Sequence, residues 1–293
     1  MKHGRGIDIS RLFCCKILLH IWGMKSPSKR APATDFRATR ALLSDEAFAL
    51  VTGNRSGPTD LVAEDIWNGI VHLPDDVALT TSSHHGSQLA AVYSLWGDWI
   101  EAIGHDHDEM FTGMLDAADC FQASTFNLLH GYYRSALANL RSALELVAIG
   151  SLGNRSPADP DYVRWAKHNI GSLPFATAVR KLRRATKGSA SARAFDPNEW
   201  LEALYDKLCA YAHSRPDSSD GEMWSSNGPV YVTEAANLGF QLQKSTYGAC
   251  YVLTKVARPN FNLPKDSGFL FVTPGLLWRD EIAVAYSNLC STR

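Results

Sequence analysis

The residues of this chain best suited to chemistry sit in one short stretch, Leu204 to Pro216, which reads Leu-Tyr-Asp-Lys-Leu-Cys-Ala-Tyr-Ala-His-Ser-Arg-Pro. It carries Lys207, His213 and Arg215 at the end of an apolar-periodic run. An imidazole titrates near neutral pH and can move a proton to or from a ribose hydroxyl. A neighbouring cation offsets the negative charge of a phosphorane-like transition state. His213 as acid/base, with Lys207 or Arg215 as the phosphate-stabilising cation, is the minimum set for metal-independent RNA cleavage, and it calls for no cofactor. A second reading makes His213 a capping residue that bonds the last carbonyls of its helix, where the helix dipole favours the protonated ring.

An upstream stretch answers this one: Gly131-Tyr-Tyr-Arg-Ser-Ala-Leu-Ala-Asn-Leu-Arg-Ser-Ala-Leu-Glu145. At 3.6 residues per turn, Arg134, Arg141 and Glu145 share a stripe roughly 100° from the apolar one. Arg141 and Glu145, four apart, can form an ion pair that fixes helix packing. Alternatively Arg134 and Arg141 face a groove and hold phosphate, a task suited to the guanidinium fork. Arg180, Lys181, Arg183, Arg184 and Lys187 form a basic cluster. It reads as a solvated face or as a polyanion site with Arg180, Lys181 and Arg184 as phosphate contacts.

Other chemistries find less support. His84, His85 and the run His105, Asp106, His107, Asp108 offer metal-ligating atoms, but they fall on predicted loops and form no HExxH pattern, so no metal site is expected. There is no GxxxxGK loop and no GxGxxG. The six cysteines (Cys14, Cys15, Cys120, Cys209, Cys250, Cys290) show no CxxC spacing, which predicts reduced thiols in a cytoplasmic protein. Cys120, Cys209 and Cys250 fall in apolar helical patterns and read as small buried hydrophobes.

The elements that must position these residues follow from periodicity. Leu89, Val92, Trp96, Trp99, Ile100 and Ile103 mark a helix ending at Gly104, preceded by a polar connection over 74–86. Apolar spacing then continues from Met110 through Leu129 to Val147 and stops at Gly150. That predicts one long helix, or two in line with at most a kink near Gly131. Short helices are expected over Asp161–His168 and Phe175–Ala185. Asp196 is the expected N-cap of the helix bearing Trp200 to Tyr211, with Glu199 three residues on. Met223–Val232 reads as extended, Thr233 as the cap of a long helix to Val256, Phe269–Val272 as a lone strand or an extended packing segment, and Leu276–Leu289 as a last helix. The fold class is mainly α: a bundle of four to five long helices with irregular appendages at both ends.

The predicted organisation is an extension over 1–30, disordered or belonging to a misassigned start; a helical and loop region over 31–86; the bundle over 87–257; and a C-terminal appendage over 258–293. The apolar run from Leu12 to Trp22 is interrupted by Lys16 and His20 and is too short to span a bilayer. A net charge of −1 excludes global steering toward nucleic acid or membrane, so any anion site must be local.

The pairing of the Gly-Tyr-Tyr-Arg…Leu-Arg…Leu-Glu helix with a later helix ending Leu-Tyr…Leu…Tyr-Ala-His resembles the HEPN superfamily, over roughly residues 108–257. The resemblance implies a small helical bundle in a bacterial defence or toxin setting. It also implies an Arg, four to six residues, then His at a helix end, and a homodimer in which two such motifs form one RNA-cleaving cleft. Carried over, His213 is the motif histidine, and Lys207 stands at the arginine position with the same charge but no fork. Leu208 follows where a polar residue is common. Other members of the superfamily bind without catalysis, so the resemblance equally implies an interaction module that takes RNA, a nucleotide or a protein partner.

Overall fold

The computed structural model describes residues 70, 72–104, 108–167, 173–186, 195–212, 228–263 and 276–290. All lie within one compact unit, Asn68–Arg293. The expectations for the 1–30 extension, for the early helices before Ile70 and for the strand over Phe269–Val272 fall outside the described residues. The fold is mainly α: the described residues hold eight α-helices and no strand. They are α1 Leu73–Ile103, α2 Phe111–Leu129, α3 Tyr133–Arg155, α4 Pro160–Ala166, α5 Phe175–Ala185, α6 Trp200–Ala212, α7 Thr233–Ala257 and α8 Arg279–Cys290.

Cross-helix hydrogen bonds fix the directions of the bundle. The Trp96 indole donates to the Ala118 carbonyl at 3.2 Å and Trp99 to Met114 at 3.0 Å, so α2 runs antiparallel to α1. Ser151 reaches the Leu253 carbonyl and Asn154 that of Ala257, while Tyr133 meets Val232; α7 therefore runs parallel to α3. Tyr205 bonds Glu145 and Cys209 lies by Arg141, so α6 descends against α3. Phe121 stacks on Tyr247 with ring centroids 3.8 Å apart, and Trp99 meets both Phe121 and Tyr251 edge-on. These four rings are buried at the centre, and they bring large apolar area in geometries aromatic pairs prefer.

The expected in-line arrangement of α2 and α3 is corrected to a tight hairpin. Gly131, at φ 78°, takes the left-handed conformation that ends a helix. The Tyr132 amide donates back to the Asn127 carbonyl at 2.8 Å and the Gly131 amide to Leu128 at 3.3 Å, which satisfies the last carbonyls of α2. Apolar periodicity survives a hairpin unchanged, because each arm faces the same core.

Three further boundaries differ from expectation. The 74–86 segment is helical, part of α1, with a break at His85 (φ −124°, ψ 22°). Pro74, Val77, Ala78, Thr81 and His85 form its buried inner stripe, and most of its other residues are exposed. α3 runs past Gly150 to Arg155. Gly150 and Gly153 lie where a Cβ would come 3.3 Å from the Met110 Cα and 2.3 Å from the Tyr162 ring, so they allow close packing and do not stop the helix. Thr233 is the first helical residue of α7 and not its cap, the cap position belonging to extended Val232.

Asp196 does accept the Leu201 amide at 3.1 Å. A 3-10 turn, Pro197–Glu199, intervenes with Asn198 and Glu199 at positive φ. Glu199 therefore turns toward Arg183 and does not reach back to the cap.

Candidate functional site

The two helices singled out by sequence do pack on one another. α3 presents Arg141 and Glu145 to α6, and the Arg141 Nε lies 3.2 Å from Glu145 Oε1. The Tyr205 hydroxyl donates to the same carboxylate oxygen. The Arg141 guanidinium sits 5.9 Å from the Tyr205 ring centroid. The same ring stacks on Phe175 of α5 at 4.5 Å. One tyrosine thus ties three helices together.

The electrostatics follow the geometry. Burial, then the Glu145 carboxylate, push the Tyr205 phenol far above its ordinary value, so it stays protonated and donates. Burial also pushes the Cys209 thiol up, against the opposing pull of Tyr205 and Arg141. Burial works against charge on Arg141, and Glu145, Tyr205 and Cys209 together outweigh it, so its pKa is raised. A protonated phenol, a protonated thiol and a paired guanidinium make a lock between helices, not a proton-transfer relay at neutral pH.

Lys207 lies on a different face of α6. It is half-exposed, its ammonium stands 5.9 Å from the Tyr211 ring centroid, and no carboxylate pairs with it among the described residues. His213 and Arg215 lie outside the described residues; α6 ends at Ala212, immediately before His213 in sequence. Arg134 is half-buried in the first turn of α3.

The basic cluster divides. Lys181 Nζ lies 2.7 Å from carboxylate oxygens of both Asp159 and Asp161, which joins α5 to the capped start of α4. Arg183 pairs with Asp196 and, at 3.1 Å, with Glu202, so it joins α5 to α6. Arg180 and Arg184, four apart, face solvent.

The histidine groups do not form a described metal centre. His84 and His85 lie on α1 and not on a loop; the His84 Nδ1 is 2.9 Å from the Thr80 carbonyl and the His85 Nε2 is 3.1 Å from the Tyr231 hydroxyl. Asp108 is held bidentate by Arg258 at 2.6 and 2.7 Å, while His105, Asp106 and His107 lie outside the described residues. No three His, Cys, Asp or Glu side chains gather as a metal site among the described residues. Nor is any described helix long and apolar enough to cross a membrane.

Sequence reasoning missed one feature of the bundle's lower end, where the α2–α3 turn lies. Phe126 is 58% exposed and packs on His130 with ring centroids 4.1 Å apart. Nearby in the fold, Tyr231 meets His84 at 5.2 Å. Phe126 stands off the apolar stripe of α2 (Met114, Ala118, Phe121, Leu128), a signal present in the sequence. The Tyr231–His84 contact joins residues far apart in the chain and left none. No protein-family model matches the chain, and no curated protein or solved structure matches it either. What the fold itself defines is a mainly α helical bundle in which α3 packs chiefly on α2 and α7, with α5 and α6 against it as well.

Proposed function

We propose that this chain is a HEPN-like protein that acts on RNA at the C-terminal end of α6. In this reading His213 takes the proton from a ribose 2′-hydroxyl as that oxygen attacks the adjacent phosphorus. The protonated imidazole gives that proton to the 5′-oxygen as the bond from phosphorus to it breaks, and a 2′,3′-cyclic phosphate remains. Lys207 or Arg215 offsets the charge on the phosphorane-like transition state. The observation that carries this reading is the state of Lys207: half-exposed near the end of α6, with no carboxylate partner among the described residues. Arg134, Arg180 and Arg184 would extend the contact to flanking phosphates. The proposal includes a homodimer in a cytoplasmic defence or toxin setting, with two copies completing the cleft.

A second reading, a noncatalytic binding module, has its own observation. Arg141, Lys181 and Arg183 are all engaged in ion pairs within the bundle, so much of the cationic inventory serves packing.

The test is an RNA-cleavage assay with purified wild-type protein and His213→Ala, without added metal and with EDTA. Cleavage that leaves cyclic phosphate ends and is lost in the variant supports the ribonuclease. A folded protein that cleaves none of several RNAs overturns it in favour of the binding module. Activity that survives the substitution removes His213 from the mechanism.

A further inference from the structure

We propose that Lys244, with the side-chain amides of Gln88 and Asn237, forms a binding site for a small oxyanion, the carboxylate or phosphate group of a low-molecular-weight ligand, in the seam between α1 and α7. The site goes beyond the RNA reading and does not rest on it, since none of its residues lies on α3 or α6.

Lys244 is a cation inside the bundle, only 6% exposed. Ring contacts on either side of it hold α7 against α1. Phe240 packs on His85 with ring centroids 5.7 Å apart, and Tyr251 meets Trp99 at 5.4 Å. The Lys244 ammonium reaches across to α1, where the Gln88 Oε1 lies a long 3.4 Å from Nζ. The Gln88 Nε2 in turn donates to the Asn237 Oδ1 at 3.0 Å. Asn237 and Lys244 lie two turns apart on one face of α7, and Gln88 bridges them.

No carboxylate answers this charge among the described residues. Asp98, the buried acid of α1, acts on Tyr247 but not on Lys244, and burial alone pulls the Lys244 pKa down. The cost of desolvating the ammonium is already incurred in the folded protein, so an arriving anion gains the attraction without repeating it.

The lysine also sets the polarity of the chain of amides. An ammonium has no acceptor, so Gln88 must turn its oxygen to Nζ and its nitrogen to Asn237, and Asn237 must accept with its oxygen. Both amide oxygens are thereby engaged within the chain. The remaining capacity of all three side chains consists of N–H donors. A cation surrounded by donors selects a group that only accepts, which is a carboxylate or phosphate oxygen. Gln88 and Asn237 are partly exposed, which puts their end of the chain at solvent.

The experiment is isothermal titration calorimetry of the full chain with inorganic phosphate and, separately, with acetate, at constant ionic strength in chloride. Lys244→Met removes the charge and keeps the bulk of the side chain; an apolar group in place of a buried unpaired charge leaves the fold stable. Gln88→Glu puts a carboxylate beside Nζ, so the protein supplies its own anion. Wild type is expected to bind phosphate saturably, and both variants to bind it about ten-fold or more weakly. Thermal melts give a second readout. In chloride Gln88→Glu should melt above wild type, and phosphate should raise the Tm of wild type alone beyond the general salt effect. Binding of phosphate without acetate supports the site and assigns it to phosphoryl ligands; binding of both supports it and admits carboxylates. No saturable binding of either ion would overturn the site. So would equal affinity in wild type, Lys244→Met and Gln88→Glu, because the ion would then be held elsewhere. RNA cleavage, present or absent, leaves this result unaffected, because neither variant touches α6.

Discussion

Replacing Gly131 by alanine tests the hairpin on which the bundle's lower end is built. Two costs are expected. A non-glycine residue held at φ 78° is strained by about 1–2 kcal/mol. The added Cβ would also fall 2.3 Å from the Val230 carbonyl oxygen and 2.7 Å from its amide nitrogen, both backbone atoms. Relief requires the 228–232 segment to move, and Val232 in that segment is tied to Tyr133. Overpacking of this kind adds about 1–3 kcal/mol, so roughly 2–5 kcal/mol is expected in all. For a unit of this size that lowers Tm by roughly 4–20 °C. Gly97→Ala is the control: it lies inside α1, and nothing stands within 4 Å of its new Cβ. That substitution should stabilise by about 0.5–1 kcal/mol through reduced backbone freedom in the unfolded chain. Thermal melts by circular dichroism decide the matter. A neutral Gly131→Ala beside a stabilising Gly97→Ala would show that neither the turn nor the contact with Val230 is as tight as described.

Two other outcomes follow from the site. Tyr205→Phe keeps the ring on Phe175 and removes the hydroxyl that donates to Glu145. The partly exposed setting limits the loss to about 1–2 kcal/mol; an unchanged melt would refute the role given to that hydrogen bond. His85 is buried, and that burial, with His84 adding, lowers its pKa below the ordinary 6.5. The unfolded chain then binds the extra proton first. The stability from neutral His85 is therefore present above about pH 6.5 and lost as pH falls below that value toward the depressed folded one. Among the described residues the rings that face it are those of His84, Tyr231 and Phe240, none of them a carboxylate that would hold the imidazolium. His85→Gln should flatten the fall in Tm between about pH 7 and 5, and parallel curves for the two proteins would exclude the linkage.

Much of the bundle was legible without coordinates, because helix amphipathicity is a local property. The spacing of Leu89 to Ile103, of Phe175 to Ala185 and of Trp200 to Tyr211 marked real helices, since a residue's side of the helix depends only on its neighbours in sequence. The Arg141–Glu145 pair was legible for the same reason, being one turn apart. The helical state of 74–86 was hidden by its polar composition: only its inner stripe is buried, and what buries it lies elsewhere in the chain.

What the tertiary structure alone decided is direction and company. Periodicity cannot tell a kink from a reversal at Gly131, because both arms of a hairpin address one core. Charge patterns cannot tell a free cation from a paired one. Lys181 and Arg183 found aspartates and a glutamate on other helices, while Lys207 met only an aromatic ring among the described residues. Tyr205 reads as one more apolar position until α6 descends against α3 and delivers its hydroxyl to Glu145, 60 residues away in sequence. Long-range pairing of this kind depends on the closure of the whole bundle, and no short window of sequence encodes it.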